Sequence, residues 1–188
     1  MTMRWMVAAV ASLGLAAAVV GGVVKFRTPD AVLKSCAALS TGSESDTPVS
    51  FKPANLNFTM KDLNGRDVAL SQYKGKVLVL DFWATWCGPC KVEIPAFVEM
   101  QKKYGPNGLQ IIGISIDDTP AELAPYVADM KMNYPVLVGK DRQDVQDAYG
   151  PLVGIPVSVL IARDGNVCTS HAGLTGKDTF EYEIKALL

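Results

Sequence analysis

Cys87-Gly88-Pro89-Cys90 places two thiols with two residues between them, a spacing that supports dithiol–disulfide exchange. What surrounds the pair decides the chemistry. Val77-Leu78-Val79-Leu80, with Asp81 close behind, opens after Lys74-Gly75-Lys76 and reads as a buried strand. Beyond Pro89, a residue suited to a first helical turn, Ile94, Phe97 and Val98 share one helical face. Cys87 therefore belongs at a strand-to-helix junction. There the unpaired N–H groups and the helix dipole stabilise an anion, and a thiolate is the nucleophilic form of cysteine. The expectation is that Cys87 attacks and Cys90, one turn further in, resolves.

Two plainer readings compete. Zinc needs about four ligands, commonly as two spaced pairs; the available second pair, Cys168 with His171, is not bracketed by the turn residues of a zinc ribbon. Inert core cysteines rarely sit at a helix start behind two tryptophans, here Trp83 and Trp86. Redox exchange fits better than either, and it calls for no metal and no cofactor.

The chain of 188 residues is 49% hydrophobic, enough for one full core with an appendage. Its net charge is −1, with no basic run interleaved with aromatics, which argues against a nucleic-acid partner. Residues 6–24 carry no charge. That is close to the roughly 20 residues of a membrane-spanning helix, and long beside the 7–15 or so of a signal-peptide core. Residues 1–27 are accordingly expected to be an N-terminal anchor or signal segment, with Ala16-Ala17-Ala18 a conceivable cleavage site. Either outcome delivers the rest of the chain beyond the cytoplasmic membrane. Residues 28–53 read as a polar linker with a short helical turn near Ala31–Leu39.

A domain is expected over 54–188. Asn64-Gly65 between Phe58-Thr59-Met60 and Val68-Ala69-Leu70 signals a hairpin. The central strand and active-site helix follow, the helix kinked at Pro95 and ending near Tyr104. Then come a strand at 109–116, a helix begun by Thr119-Pro120 with Leu123, Tyr126, Val127 and Met130 on one face, and an extended segment at 134–138. A short helix at 142–149, a hairpin about Asp164-Gly165 and a last helix at 177–187 burying Phe180, Ile184 and Leu187 complete it. The order predicts an α/β fold, a mixed sheet with helices on both faces.

These residues together resemble a known family. Trp86-Cys87-Gly88-Pro89-Cys90 after an apolar strand is similar to the thioredoxin superfamily. The lead-in Ser71-Gln72-Tyr73-Lys74-Gly75-Lys76-Val77, the run Phe82-Trp83-Ala84-Thr85-Trp86, Glu93-Ile94-Pro95, Ala148-Tyr149-Gly150 and Gly154-Ile155-Pro156 resemble its TlpA/ResA-like extracytoplasmic, membrane-tethered branch. The resemblance implies a thioredoxin fold with an N-terminal β-hairpin and a helix–strand insertion at about 119–138. It also implies a cis-proline loop at Ile155-Pro156, facing the dithiol and able to pair with a substrate strand. Trp86, Gly88, Pro89, Ile155 and Pro156 would then form the substrate-binding surface, with Trp83 in the core. Where the family often has Thr after this proline, this chain has Val157-Ser158.

Two acids are candidates for proton transfer. Glu93, three residues after Cys90, is its helix-face neighbour and corresponds to the glutamate that the branch places beside its dithiol. Asp81 corresponds to the buried aspartate of thioredoxin; having both departs from either pattern. Burial raises a carboxyl pKa, and a group near neutrality can take the proton of Cys90. Cys36 and Cys168 either pair or stay free. His171 reads as an ordinary residue on a late strand.

The function implied is an extracytoplasmic thiol–disulfide oxidoreductase reducing protein disulfides, in cytochrome c or copper-site maturation, with Cys87–Cys90 as its redox-active disulfide. Its partners would be protein disulfide substrates, a membrane thiol-reductant donor of the DsbD/CcdA type, and the membrane through the N-terminal segment. Rival readings are a peroxiredoxin-like thiol peroxidase, against which Ala84 stands where that class has Thr, and a Sco-like copper module, which needs wider cysteine spacing and a histidine.

Overall fold

A computed structural model describes residues 36–39, 51–150 and 152–188. The apolar run at 6–24 and most of the expected linker lie outside them. Among the described residues no helix is long and apolar enough to cross a membrane.

The strands are β1 (Thr59–Asp62), β2 (Asp67–Ala69), β3 (Val77–Trp83), β4 (Leu109–Ser115), β5 (Val136–Val138), β6 (Val157–Ile161) and β7 (Val167–Ala172). The helices are α1 (Gly88–Tyr104), α2 (Pro120–Asp129), α3 (Gln143–Tyr149) and α4 (Lys177–Leu187). One sheet takes the order β2-β1-β5-β4-β3-β6-β7, with β3 parallel to β4 and antiparallel to β6. Helices cover both faces of β3, so all of its residues are buried. That is why its sequence runs apolar without alternating.

Side-chain parity along β3 sorts the core. Val77, Val79 and Trp83 turn to one cluster with Phe97 of α1, Leu123 of α2 and Phe180 of α4. Leu78, Leu80 and Phe82 turn to the other, with Leu70 and Val145 of α3. By the same parity Asp81 points to the side of α1. β3 continues past the apolar run because its ladder with β6 extends to Phe82 and its ladder with β4 to Trp83. Gly113 of β4 makes room for the Trp83 indole: a Cβ there would lie 2.8 Å from Trp83 Nε1.

The hairpin turns at Gly65, whose φ is 74°, while Asp62 Oδ1 accepts from the N–H groups of Asn64 and Arg66. The expected insertion is α2 and β5. It connects the hairpin to the main sheet, since β5 pairs with β4 on one side and with β1 on the other. Thr119 and Glu122 cap α2 reciprocally. Of its expected apolar face only Leu123 is fully buried; Tyr126, Val127 and Met130 are half-buried. Helix α1 runs unbroken over 17 residues through Pro95, which leaves the Lys91 carbonyl without its usual donor.

The domain reaches further back than Ala54. Cys36–Leu39 forms a short 3-10 turn inside the stretch expected to be linker, and Cys36 is buried and disulfide-bonded to Cys168. Pro53 also bridges to Asn166 across the turn before β7. The sulfur pairing explains this: a lone cysteine in a polar stretch carries no signal of the strand it will join.

Candidate active site

Cys87 is the N-cap residue of α1, and its sulfur accepts from the Cys90 backbone N–H at 3.2 Å. It is bonded to Cys90, three residues on. The helix start therefore offers an N–H donor and the positive end of a dipole to whichever charge develops on Cys87, as expected. Cys87 Sγ also lies 3.7 Å from the carbonyl oxygen of Ile155. That contact sets the proline loop against the dithiol, and the Ile155–Pro156 peptide bond is cis. Both cysteines are nearly covered in the oxidised state, Cys87 at 3% and Cys90 at 1% exposure. The groups that reach solvent are Gly88, Pro89 and Trp86, the last 65% exposed. Trp83 is fully buried, as expected.

The loop from β3 to α1 is held by two acids that the sequence reading did not single out. Asp118, itself buried, accepts from the Thr85 N–H at 2.9 Å, the Thr85 hydroxyl at 2.5 Å and the Ser115 hydroxyl at 2.6 Å. Two of these bonds fix Thr85, two residues ahead of Cys87, to Asp118. Asp117 accepts from Trp86 Nε1 at 2.9 Å, which pins the indole while leaving it exposed. The available signal was Asp117-Asp118 directly after an apolar strand and before a helix cap.

Behind the dithiol lie Asp81 and Glu93. Burial, then the charge of Glu93, pushes the Asp81 carboxyl well above the usual carboxylate range. The Ser158 hydroxyl across the ladder opposes this without a well-formed hydrogen bond. Burial likewise raises Glu93, while the Thr175 N–H, donating to Oε1 at 2.6 Å, and the nearby His171 pull the other way. Asp81 Oδ1, Glu93 Oε2, Ser158 Oγ and the hydroxyl of Tyr134 are buried without a protein hydrogen-bond partner. Unsatisfied groups cost on the order of 1–3 kcal/mol each. All four belong to the side of the sheet that α1 covers.

His171 lies on the last strand, as expected. Its Nε2 lies 2.8 Å from Glu183 Oε2, and its ring meets Phe180 edge-on. Glu183, buried within α4, also accepts from the Thr169 hydroxyl. The pair considered for zinc is thereby divided: Cys168 is bonded to Cys36 and His171 to Glu183. Among the described residues no group of three or more His, Cys, Asp or Glu is placed to hold a metal.

Comparison with known proteins agrees with this geometry. Residues 53–170 match the model of the AhpC/TSA family. The thiol-disulfide oxidoreductase ResA of Bacillus thuringiensis subsp. konkukian is 34% identical over 131 residues, 70% of this chain and 75% of the relative. ResA of Bacillus subtilis is 35% identical over 130 residues, 69% and 70% of the two chains. Among solved structures, a putative thiol:disulfide interchange protein DsbE from Chlorobium tepidum superposes with a TM-score of 0.65 at 30% identity, covering 74% of this chain and 100% of that one.

Proposed function

This chain belongs to the TlpA/ResA-like family of thiol–disulfide oxidoreductases in the thioredoxin superfamily, and from that premise we propose that it is a reductase of protein disulfides outside the cytoplasm. That it is a thiol–disulfide oxidoreductase acting through Cys87–Cys90 follows from the family and the motif. The direction, place and partners are the proposal. The Cys87 thiolate attacks a substrate disulfide and forms a mixed disulfide. Cys90 gives its proton to Glu93 or Asp81, attacks Cys87 and releases the reduced substrate thiol.

The observation that carries the reading is a Cys87 sulfur on a helix N-terminus and against the Ile155 carbonyl, with two raised carboxyls behind its partner. Gly88-Pro89 between the cysteines favours the reducing end of the potential range. In an oxidising compartment the enzyme would be left as the disulfide, so a membrane thiol-reductant donor of the DsbD/CcdA type regenerates it. The uncharged run at 6–24 supports membrane attachment or export. Cytochrome c and copper-site cysteines are the proposed substrates.

Cys90→Ala in the full chain is expected to trap mixed disulfides with its substrates, and recovery of none would remove Cys90 as resolver. Insulin reduction with dithiothreitol, set beside peroxide turnover and copper titration, separates the reductase from the peroxidase and copper readings. A fusion of a periplasmic-activated reporter enzyme to the C-terminus is expected to be active; an inactive reporter would contradict export.

A further inference from the structure

We propose that Asp118 is a positioning residue of the attacking step: by holding Thr85 it keeps Cys87 seated as the N-cap of α1, where its thiolate is stabilised. The proposal rests on the reading of Cys87 as attacker. Residues 84–86 join the end of β3 to Cys87 at the start of α1, so their path fixes where the sulfur stands. Two neighbouring acids at the exit of β4 grip this segment at successive residues. Asp118 accepts the Thr85 N–H on Oδ2 at 2.9 Å and the Thr85 hydroxyl on Oδ1 at 2.5 Å. Asp117 accepts the Trp86 indole N–H at 2.9 Å.

Asp118 is itself held in place. The Ser115 hydroxyl donates to its Oδ2 at 2.6 Å, and the residue is 4% exposed. The next residue, Thr119, is the N-cap of α2, and its N–H is bonded to Glu122 at 2.7 Å. The Asp118 carboxylate thus meets three donors with little freedom to move, and bonds to a charged acceptor are about twice as strong as neutral ones. Two backbone bonds complete the frame: Ile116 donates to the Trp83 carbonyl at 3.0 Å, and Cys87 to the Ala84 carbonyl at 3.1 Å. Trp83, Thr85 and Trp86 are therefore each tied to residues 116–118, and the chain reaches Cys87 by a single path.

Charge and position have opposite consequences here, which makes the role decidable. A negative charge near a thiolate disfavours it, so an acid acting by its charge would restrain Cys87, and its removal would quicken attack. An acid acting by position supports Cys87, and its removal slows attack. The contact at stake is the Cys90 N–H on the Cys87 sulfur, at 3.2 Å, which depends on how the backbone enters the first turn of α1. Asparagine at position 118 would lose the charge while keeping an acceptor for the Thr85 N–H and offering its amide to the Thr85 hydroxyl oxygen.

The test is alkylation of reduced full-length protein with iodoacetamide near neutral pH, the labelling of each cysteine followed by mass spectrometry of its peptide. Cys87 is expected to label first while Cys90 stays protected; first labelling of Cys90 would refute Cys87 as attacker, whatever Asp118 does. Asp118→Ala should slow the labelling of Cys87 about tenfold, within the roughly 100-fold that a misplacement of about 1 Å can cost, with Cys90 still protected. Asp118→Asn should restore most of the rate. Thr85→Val removes only the hydroxyl bond; it should slow Cys87 about threefold, as expected for one hydrogen bond, and carries the test if Asp118→Ala does not fold. Joined to Asp118→Ala it should add nothing, because both changes act on one contact. Faster labelling in either Asp118 variant, equal slowing in both, unchanged rates in Asp118→Ala or Thr85→Val, or additive slowing in the double variant would overturn the proposal. So would Cys90 labelling in step with Cys87 in Asp118→Ala, the mark of a domain loosened as a whole.

Discussion

The molecule carries two disulfides whose surroundings differ in almost every respect. Cys87–Cys90 closes three residues at the tip of α1, beside exposed Trp86 and near two buried acids that each leave one oxygen without a hydrogen bond. Cys36–Cys168 spans 132 residues and ties a 3-10 turn to edge strand β7, within a core cluster that includes α4. No α-helix start among the described residues holds the second pair; its sulfurs look at the Asn166 carbonyl. One bond is placed where a thiolate is stabilised and its proton has somewhere to go. The other is placed where breaking it would free a length of chain. The same covalent chemistry is a reaction centre in one setting and a staple in the other.

The sharpest way to break this comparison is by cysteine replacement. Cys87→Ser is expected to reduce catalysed insulin reduction to the background of dithiothreitol alone, whereas Cys36→Ser with Cys168→Ser retains most of it. Equal losses from the two would show that the second pair also reacts. Stability should respond in the opposite sense. Loop-closure entropy assigns about 5 kcal/mol to a bond spanning 132 residues and about 2 kcal/mol to one spanning three. Urea midpoints of the oxidised double-serine chain and of Cys87→Ser measure both; a smaller loss from the double serine would remove the staple.

Next in size is the contribution of the buried acids, which the second disulfide lacks. Asp81→Asn is expected to slow release of the reduced substrate about 100-fold, the lower end of the range for general acid–base catalysis. The same change should stabilise the protein near pH 8 and have no effect near pH 4. The sign follows from the raised carboxyl: the folded state binds more protons than the unfolded one, so stability is full below the unfolded pKa and declines as pH rises towards the folded pKa. Neutral asparagine escapes that decline. Equal melting shifts at both pH values would show a packing effect instead.

The smallest expected effect concerns the surface. Trp86→Ala should raise KM for a protein disulfide several-fold with little change in kcat, in line with the roughly 0.5–1.5 kcal/mol of an aromatic contact. A fall in kcat of similar size would instead give the indole a part in setting Cys87.

Much of the fold was legible in the chain because its signals are local. The apolar run ahead of Cys87, Pro89 at the helix start, Asn64-Gly65 and Thr119-Pro120 each act over a few residues, and each lies where it was expected. Cys87 and Cys90 were legible for the same reason. Asp117, Asp118 and the His171–Glu183 pair were not, because each works through a residue distant in sequence: Asp118 holds Thr85 over 33 residues, and His171 lies opposite Ser158 through strand register. Nothing in the composition of β7 announces which face its histidine will take.

The sequence by itself settled the chemistry: a CxxC pair between strand and helix carries its reactivity in the backbone geometry it dictates. Tertiary structure alone decided which other groups attend that chemistry. It paired Cys36 with Cys168, brought Ile155 against Cys87, and set Asp81, Ser158 and His171 abreast. The physical reason is range: caps, turns and dipoles act within a turn or two of chain, whereas proximity across a sheet is fixed by register and by which faces must be buried.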